Sequence, residues 1–105
     1  MFDDLSEALH KTAVEKGFWP EDIDDIFIAK QCMMIVSEVT EVMEAIRKDK
    51  GEEEISKEMA DIIIRTLDLY AGLVEAGYTK ISLDHAVNEK AQFNKIRPEK
   101  HGVKF

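Results

Sequence analysis

Four carboxylates in this chain stand at spacings that could hold a cation: Glu38, Glu41, Glu58 and Asp61. They form two short motifs, Glu38-Val39-Thr40-Glu41 and Glu58-Met59-Ala60-Asp61, inside apolar stretches of helical periodicity. An i,i+3 spacing places both members of a pair on one helix face. Two antiparallel helices with such faces would gather four acidic groups beside a hydrophobic core. Burying that much unpaired negative charge is prohibitive, so the pattern asks for a cation. Hard oxygen ligands point to Mg²⁺, with Mn²⁺ as the alternative. A single acidic pair on a helix is ordinarily just solvated. Two matched pairs flanked by Val39, Val42, Met59, Ala60, Ile62 and Ile63 are harder to read that way.

Opposite chemistry follows near the end of the chain. Lys90, Asn94 and Arg97 stand at i, i+4 and i+7 and share a helix face. Lysine and arginine grip phosphate oxygens, and asparagine hydrogen-bonds a sugar or base. A polar outer face would have the same composition. Beside a cation held by acidic helices, the same trio suits a metal-bound polyphosphate.

The elements that must position these groups are helices. The first is expected from about Asp3 to Lys16, with Leu5, Ala8, Leu9, Ala13 and Val14 as its apolar positions, Asp3 as N-cap and Gly17 as stop. Gly17-Phe18-Trp19-Pro20-Glu21-Asp22 breaks it. The second runs from Asp24 or Asp25 to Asp49, and Lys48-Asp49-Lys50-Gly51 is the turn after it. The third runs from Glu52 to about Ala76, where Gly77 ends it. The fourth takes Ser82 as N-cap and reaches Ile96, with Pro98 barring extension. No strand pattern or linker is evident. The expected fold is all-α, a single domain over residues 1–105 built as an antiparallel four-helix bundle, with residues 98–105 as a tail.

On the second helix Lys30, Met34, Glu38, Glu41 and Ala45 share a stripe; on the third, Glu54, Glu58, Asp61 and Arg65 do. Sixteen residues lie between Glu41 and Glu58, so the two pairs reach similar height on either side of the turn. Both helices are apolar nearly all round, through Ile62-Ile63-Ile64 on one and Ile26-Phe27-Ile28 and residues 33–36 on the other. A helix of that kind needs burial nearly all round, which implies a second subunit: an obligate dimer, or a dimer of dimers.

With 22 acidic residues against 14 basic, the formal charge is −8, which argues against a protein that binds nucleic-acid polymers through a basic surface. The lone Cys32 excludes an intrachain disulfide and reads as a small core residue. There is no signal-peptide pattern and no apolar run of membrane-spanning length, so a cytoplasmic location is expected. Phe18, Trp19 and His10 are candidates for contacts to a base, though such residues are more often core. His85 is expected on the surface.

ExxE, a spacer, ExxD, then Lys-x-x-x-Asn: in this order the motifs resemble the all-α nucleoside triphosphate pyrophosphohydrolases of the MazG-like superfamily. The resemblance takes in Lys30, Ser37-Glu38-Val39-Thr40-Glu41, Lys57-Glu58-Met59-Ala60-Asp61-Ile62, Asn88-Glu89-Lys90, Asn94-Lys95-Ile96-Arg97-Pro98 and Lys100-His101-Gly102, most of the chain. It implies hydrolysis of a nucleoside triphosphate between the α and β phosphates, giving the monophosphate and pyrophosphate. Glu38, Glu41, Glu58 and Asp61 would hold Mg²⁺, and Glu38 or Glu41 would activate the water. Lys90 and Arg97 would bind phosphates and Asn94 the nucleoside, with Lys30 and Trp19 as further substrate contacts. Removal of non-standard nucleotides is a role of this kind. Phosphoribosyl-ATP pyrophosphohydrolase is similar in size and acidic motifs, and a non-enzymatic helical dimerisation module would account for the apolar helices alone. A di-iron bundle needs Glu-x-x-His, and no histidine follows Glu38 or Glu58 at that spacing.

Overall fold

Capping residues and glycines set the helix ends. The computed structural model describes residues 1–98, and these form α1 (Phe2–Glu15), α2 (Asp25–Arg47), α3 (Glu52–Glu75) and α4 (Leu83–Ile96), with no strand among the described residues. Lys100, His101 and Gly102 lie outside the described residues. Asp24 caps α2 by accepting the Phe27 N–H at 2.8 Å. Glu52, Glu53 and Glu54 place negative charge at the positive end of α3. Ser82 caps α4 by accepting the His85 N–H. In the α2–α3 turn Asp49 and Gly51 take the left-handed region, φ 53° and 94°. Glycine adopts that region without the steric cost an L side chain incurs.

Asp3 does not cap its own helix, as the sequence suggested. It caps α4, accepting from Leu83 N–H at 2.8 Å and from Ser82 Oγ at 2.6 Å. Asp84 returns the contact, accepting from Phe2 N–H at 2.7 Å and from the Met1 ammonium at 2.9 Å. Two helix N-termini meet here, and each positive end takes the other's carboxylate. The Met1 ammonium first, then the Phe2 N–H, hold the Asp84 carboxyl far below the ordinary carboxylate range. A depressed pKa stabilises the fold above the unfolded-state value of 3.8 and is lost as pH falls through the lower folded value. Asp84 is therefore ionised in the clasp at neutral pH and its contribution is lost in acid, while that of the Met1 ammonium, raised above its ordinary value chiefly by its bond to Asp84, is lost on the alkaline side. Asp3→Ala is expected to cost about 1 kcal/mol and to speed amide exchange over residues 83–86. Hydrogen exchange unchanged over that turn would contradict the capping assignment.

Helix α3 lies at the centre, with α2 against one side and α1 against another. Helices α2 and α3 are antiparallel: Glu38 meets Arg65, and Asp25 accepts the Tyr78 hydroxyl just beyond α3. Helix α4 takes its main support from α1 and has no buried residue. One chain thus supplies four helices without closing a four-helix bundle, because α4 is fastened by caps rather than by an apolar face.

The buried face of α1 is polar. Leu5 and Val14 are exposed, while Ser6 and His10 are buried. Ser6 Oγ donates to the Leu67 carbonyl, and the His10 ring nitrogens lie 2.8 Å from Asp68 and from Glu75. Trp19 follows them inward. Its Nε1–H donates to Asp68 at 3.0 Å, and its ring stacks over Gly72 and meets Phe27 at 5.1 Å. A Cβ at residue 72 would stand 2.2 Å from that ring. Gly72→Ala is expected to cost about 3 kcal/mol, the range for overpacking a site that cannot yield. Denaturant unfolding followed by Trp19 fluorescence checks it; an unmoved midpoint would show that the ring shifts freely.

The buried apolar core is small: Trp19, Ala45, Leu67 and Leu69. Met33, Val36, Val39, Met43 and Ile46 on α2, and Met59 and Ile63 on α3, are exposed in the single chain. Cys32, expected in the core, is exposed as well. It sits on the outward stripe of α2 near Met33 and Val36, about 100° per residue turning it away from α3. No helix of the described residues is long and apolar enough to cross a membrane.

Candidate metal and nucleotide site

The antiparallel pairing of α2 and α3 brings three carboxylates together. One oxygen each of Glu38, Glu58 and Asp61 lie within 4.8 Å of one another, and all three side chains are half-buried. Glu58 and Asp61 are adjacent turns of α3, and Glu38 reaches across from α2. Arg65, one turn beyond Asp61, donates from Nε to Glu38 Oε1 at 2.9 Å.

Electrostatics at this cluster are unfavourable without a cation. The Glu58 carboxyl is pushed above its ordinary value, chiefly by partial removal from water, then by Glu54 one turn earlier and by the charges of Asp61 and Glu38. Like charges crowded together disfavour ionisation. The donor set is therefore three hard oxygens with a charge deficit, which fits a divalent cation such as Mg²⁺ or Mn²⁺.

Glu41 stands outside the three and is exposed. It is about one turn along α2 and about 60° around it from Glu38. Lys30 is exposed too, eight residues or about 12 Å before Glu38 along the helix. The α4 trio keeps together: Lys90 Nζ lies 4.9 Å and the Arg97 guanidinium 5.4 Å from the Phe93 ring centre. Lys90 and Asn94 line a shallow groove with Ala86, Val87 and Ala91, all of α4. No residue of the acidic cluster lines it. Trp19 is 9% exposed and its ring is engaged by Asp68 and Gly72, while Phe18 is exposed. His85 is exposed, as expected, and pairs with Glu89 at 2.8 Å.

A cleft of about 640 Å³ lies between α1, the end of α3 and the α3–α4 connection, lined among others by Ser6, His10, Tyr70, Glu75 and Lys80. It includes none of the acidic three. On α3, its residues Tyr70, Ala71 and Val74 face away from the Glu58–Asp61–Arg65 stripe by the helical repeat. Arg65 was visible in sequence only as a member of the acidic stripe. Its opposite charge at i+4 from Asp61 was the signal that it belongs to the site's charge balance.

Comparison with known proteins bears on what this arrangement is. The model of the MazG nucleotide pyrophosphohydrolase domain matches residues 29–98. That span contains all of the acidic residues just described and the whole of α4. No curated protein and no solved structure matches the chain. Since the matched span is well over half of its length, the chain belongs to the MazG nucleotide pyrophosphohydrolase domain family.

Proposed function

We propose that this protein is a Mg²⁺-dependent nucleoside triphosphate pyrophosphohydrolase, cleaving between the α and β phosphates to release the monophosphate and pyrophosphate. The carrying observation is the convergence of Glu38, Glu58 and Asp61 across α2 and α3 in a chain of this family. These three would hold the metal, with Glu41 completing the set from the rim. A bound divalent ion would polarise the phosphoryl oxygens and lower the pKa of an attacking water.

The protein's own groups then divide the remaining work. Glu38 is tied to Arg65, whereas Glu41 has no ion pair among the described residues. Of the two candidates for accepting the water's proton, Glu41 is the freer. Lys90 and Arg97 would grip phosphates and Asn94 the nucleoside, with Lys30 near the far end of the polyphosphate. The Trp19 ring, buried as it is, would offer a base no more than its edge.

A second copy of the chain is part of this reading. The exposed apolar stripe on α2 and α3 would be covered by another α2–α3 pair, as a homodimer or a dimer of dimers. The same association would give α4 a partner surface and bring its basic trio near an acidic cluster. Removal of non-standard nucleotides suits such an activity. A panel of canonical and modified nucleoside triphosphates, with phosphoribosyl-ATP beside them, tests the substrate class. Pyrophosphate release ranked highest for nucleoside triphosphates is expected; release from phosphoribosyl-ATP alone would move the assignment to that substrate.

A further inference from the structure

We propose that His10 and Glu75 form a proton-operated tie between α1 and the last turn of α3, on the wall of the cleft described above. The tie is closed when the imidazole carries hydrogen on both nitrogens, and it opens when Nε2 loses its proton. His10 is buried, and each ring nitrogen faces a carboxylate at 2.8 Å, Nδ1 against Asp68 Oδ1 and Nε2 against Glu75 Oε2. An ionised carboxylate only accepts, so a ring nitrogen bonded to one must carry the hydrogen. Asp68 is already committed as an acceptor. The Trp19 Nε1–H, which can only donate, lies 3.0 and 3.2 Å from its two oxygens. Neutral imidazole has a single N–H, and Asp68 claims it for Nδ1. The bond to Glu75 therefore needs a second proton.

The two carboxylates differ in their freedom to respond. The Glu75 side chain is 66% exposed and the Asp68 side chain 17%. When the Nε2 proton passes to water, that nitrogen presents a lone pair to the Glu75 oxygens, and Glu75 can turn to solvent. Asp68 keeps both of its donors, so one contact changes while the Trp19 anchor stays. The other charged groups near the ring are Glu7 and Lys11 on α1 itself and Lys80 in the α3–α4 connection, with Asp3 and Glu15 further along the same cleft. The α1–α2 connection contributes the neutral Trp19, edge-on to His10 at 4.7 Å, which in turn meets Phe27 of α2. Histidine is the side chain whose charge ordinarily changes between about pH 5 and 8, so it suits a tie that responds near neutrality. His10 and Glu75 both line the cleft. Opening the tie leaves a free carboxylate and a hydrogen-bond acceptor on that wall. None of this involves Glu38, Glu58 or Asp61, so the tie does not depend on the metal-site reading.

The test is NMR of the His10 ring nitrogens in the full chain, by long-range proton–nitrogen correlation from about pH 5 to about pH 9. Both nitrogens are expected to carry hydrogen at the acid end and Nδ1 alone at the alkaline end, with the backbone amides of Glu75 and Ala76 shifting in step. Glu75→Gln supplies a second readout. A side-chain amide can accept from the protonated ring or donate to the neutral one, so the variant keeps the contact in both states. It is expected to melt about 2 °C below the parent at the acid end and about 2 °C above it at the alkaline end. A ring that holds one protonation state across the range, or that carries its alkaline hydrogen on Nε2, would overturn the inference. So would a difference between parent and Glu75→Gln of the same sign at both ends, which marks a contact indifferent to the proton.

Discussion

Glu58→Gln is expected to lower metal-dependent turnover by at least about a hundredfold and to raise the melting temperature of the metal-free protein. The two effects have one cause. Glu58 sits half-buried among Glu54, Asp61 and Glu38, and its charged form is disfavoured there. Glutamine keeps the shape and removes the charge, so the repulsion falls when no metal is bound. The same change removes a hard anionic ligand and with it several kcal/mol of stabilisation of developing phosphate charge, or about two decades of rate. Thermal unfolding with Mg²⁺ and with EDTA separates the parts. The parent is expected to gain melting temperature with Mg²⁺ and Glu58→Gln to gain almost none. A variant that responds to Mg²⁺ as the parent does would remove Glu58 from the site. One that melts well below the parent without metal would show that the carboxylate has a structural partner instead.

A charge placed in the middle of the exposed α2 stripe is expected to have the second large effect. Val39, Met43 and Ile46 lie along one side of α2, facing away from Ala45, which α3 covers. Light scattering of the parent is expected to give at least twice the 12.0 kDa of one chain. Met43→Asp would bury an unpaired carboxylate in that contact, a loss of about 3 kcal/mol or more per interface. Association is then expected to weaken by at least about a hundredfold, with turnover falling alongside if α4 of one copy serves the acidic cluster of the other. A parent that runs as a stable monomer, fully folded and active, would refute the second-subunit reading. The core offers little to hold such a monomer, since among the described residues four apolar side chains are buried in it.

Much of the fold was legible because its signals are local. Asp24, Ser82, Gly17, Gly51 and Gly77 mark helix ends through hydrogen bonds or backbone angles within a few residues of themselves. The facing of Glu38 toward Glu58 and Asp61 followed from helical repeat and turn length. What escaped depends on contacts distant in sequence. Asp3 looked like a cap for α1 because nothing local shows that the N-terminus of α4, some eighty residues on, competes for it. The burial of Ser6 and the partners of His10 were not visible, because a polar side chain is buried only where partners await it. Here the partners are Leu67, Asp68 and Glu75 on another helix.

The site shows the same division. An ExxE pair spans about 60° of helix, and α3 lies opposite one member of the first pair, Glu38, leaving Glu41 at the rim. The basic face of α4 was readable as a face, yet its distance from the acidic cluster depends on how α4 is anchored. In one chain it is anchored to α1 by the Asp3–Asp84 exchange.

The most direct test of the central claim is phosphorus NMR of the products formed from a nucleoside triphosphate by the parent protein, with Mg²⁺ and again with EDTA. Nucleoside monophosphate and pyrophosphate in equal amounts, formed with Mg²⁺ and not with EDTA, are the predicted result. Nucleoside diphosphate with inorganic phosphate, or the same products formed equally in EDTA, would contradict it.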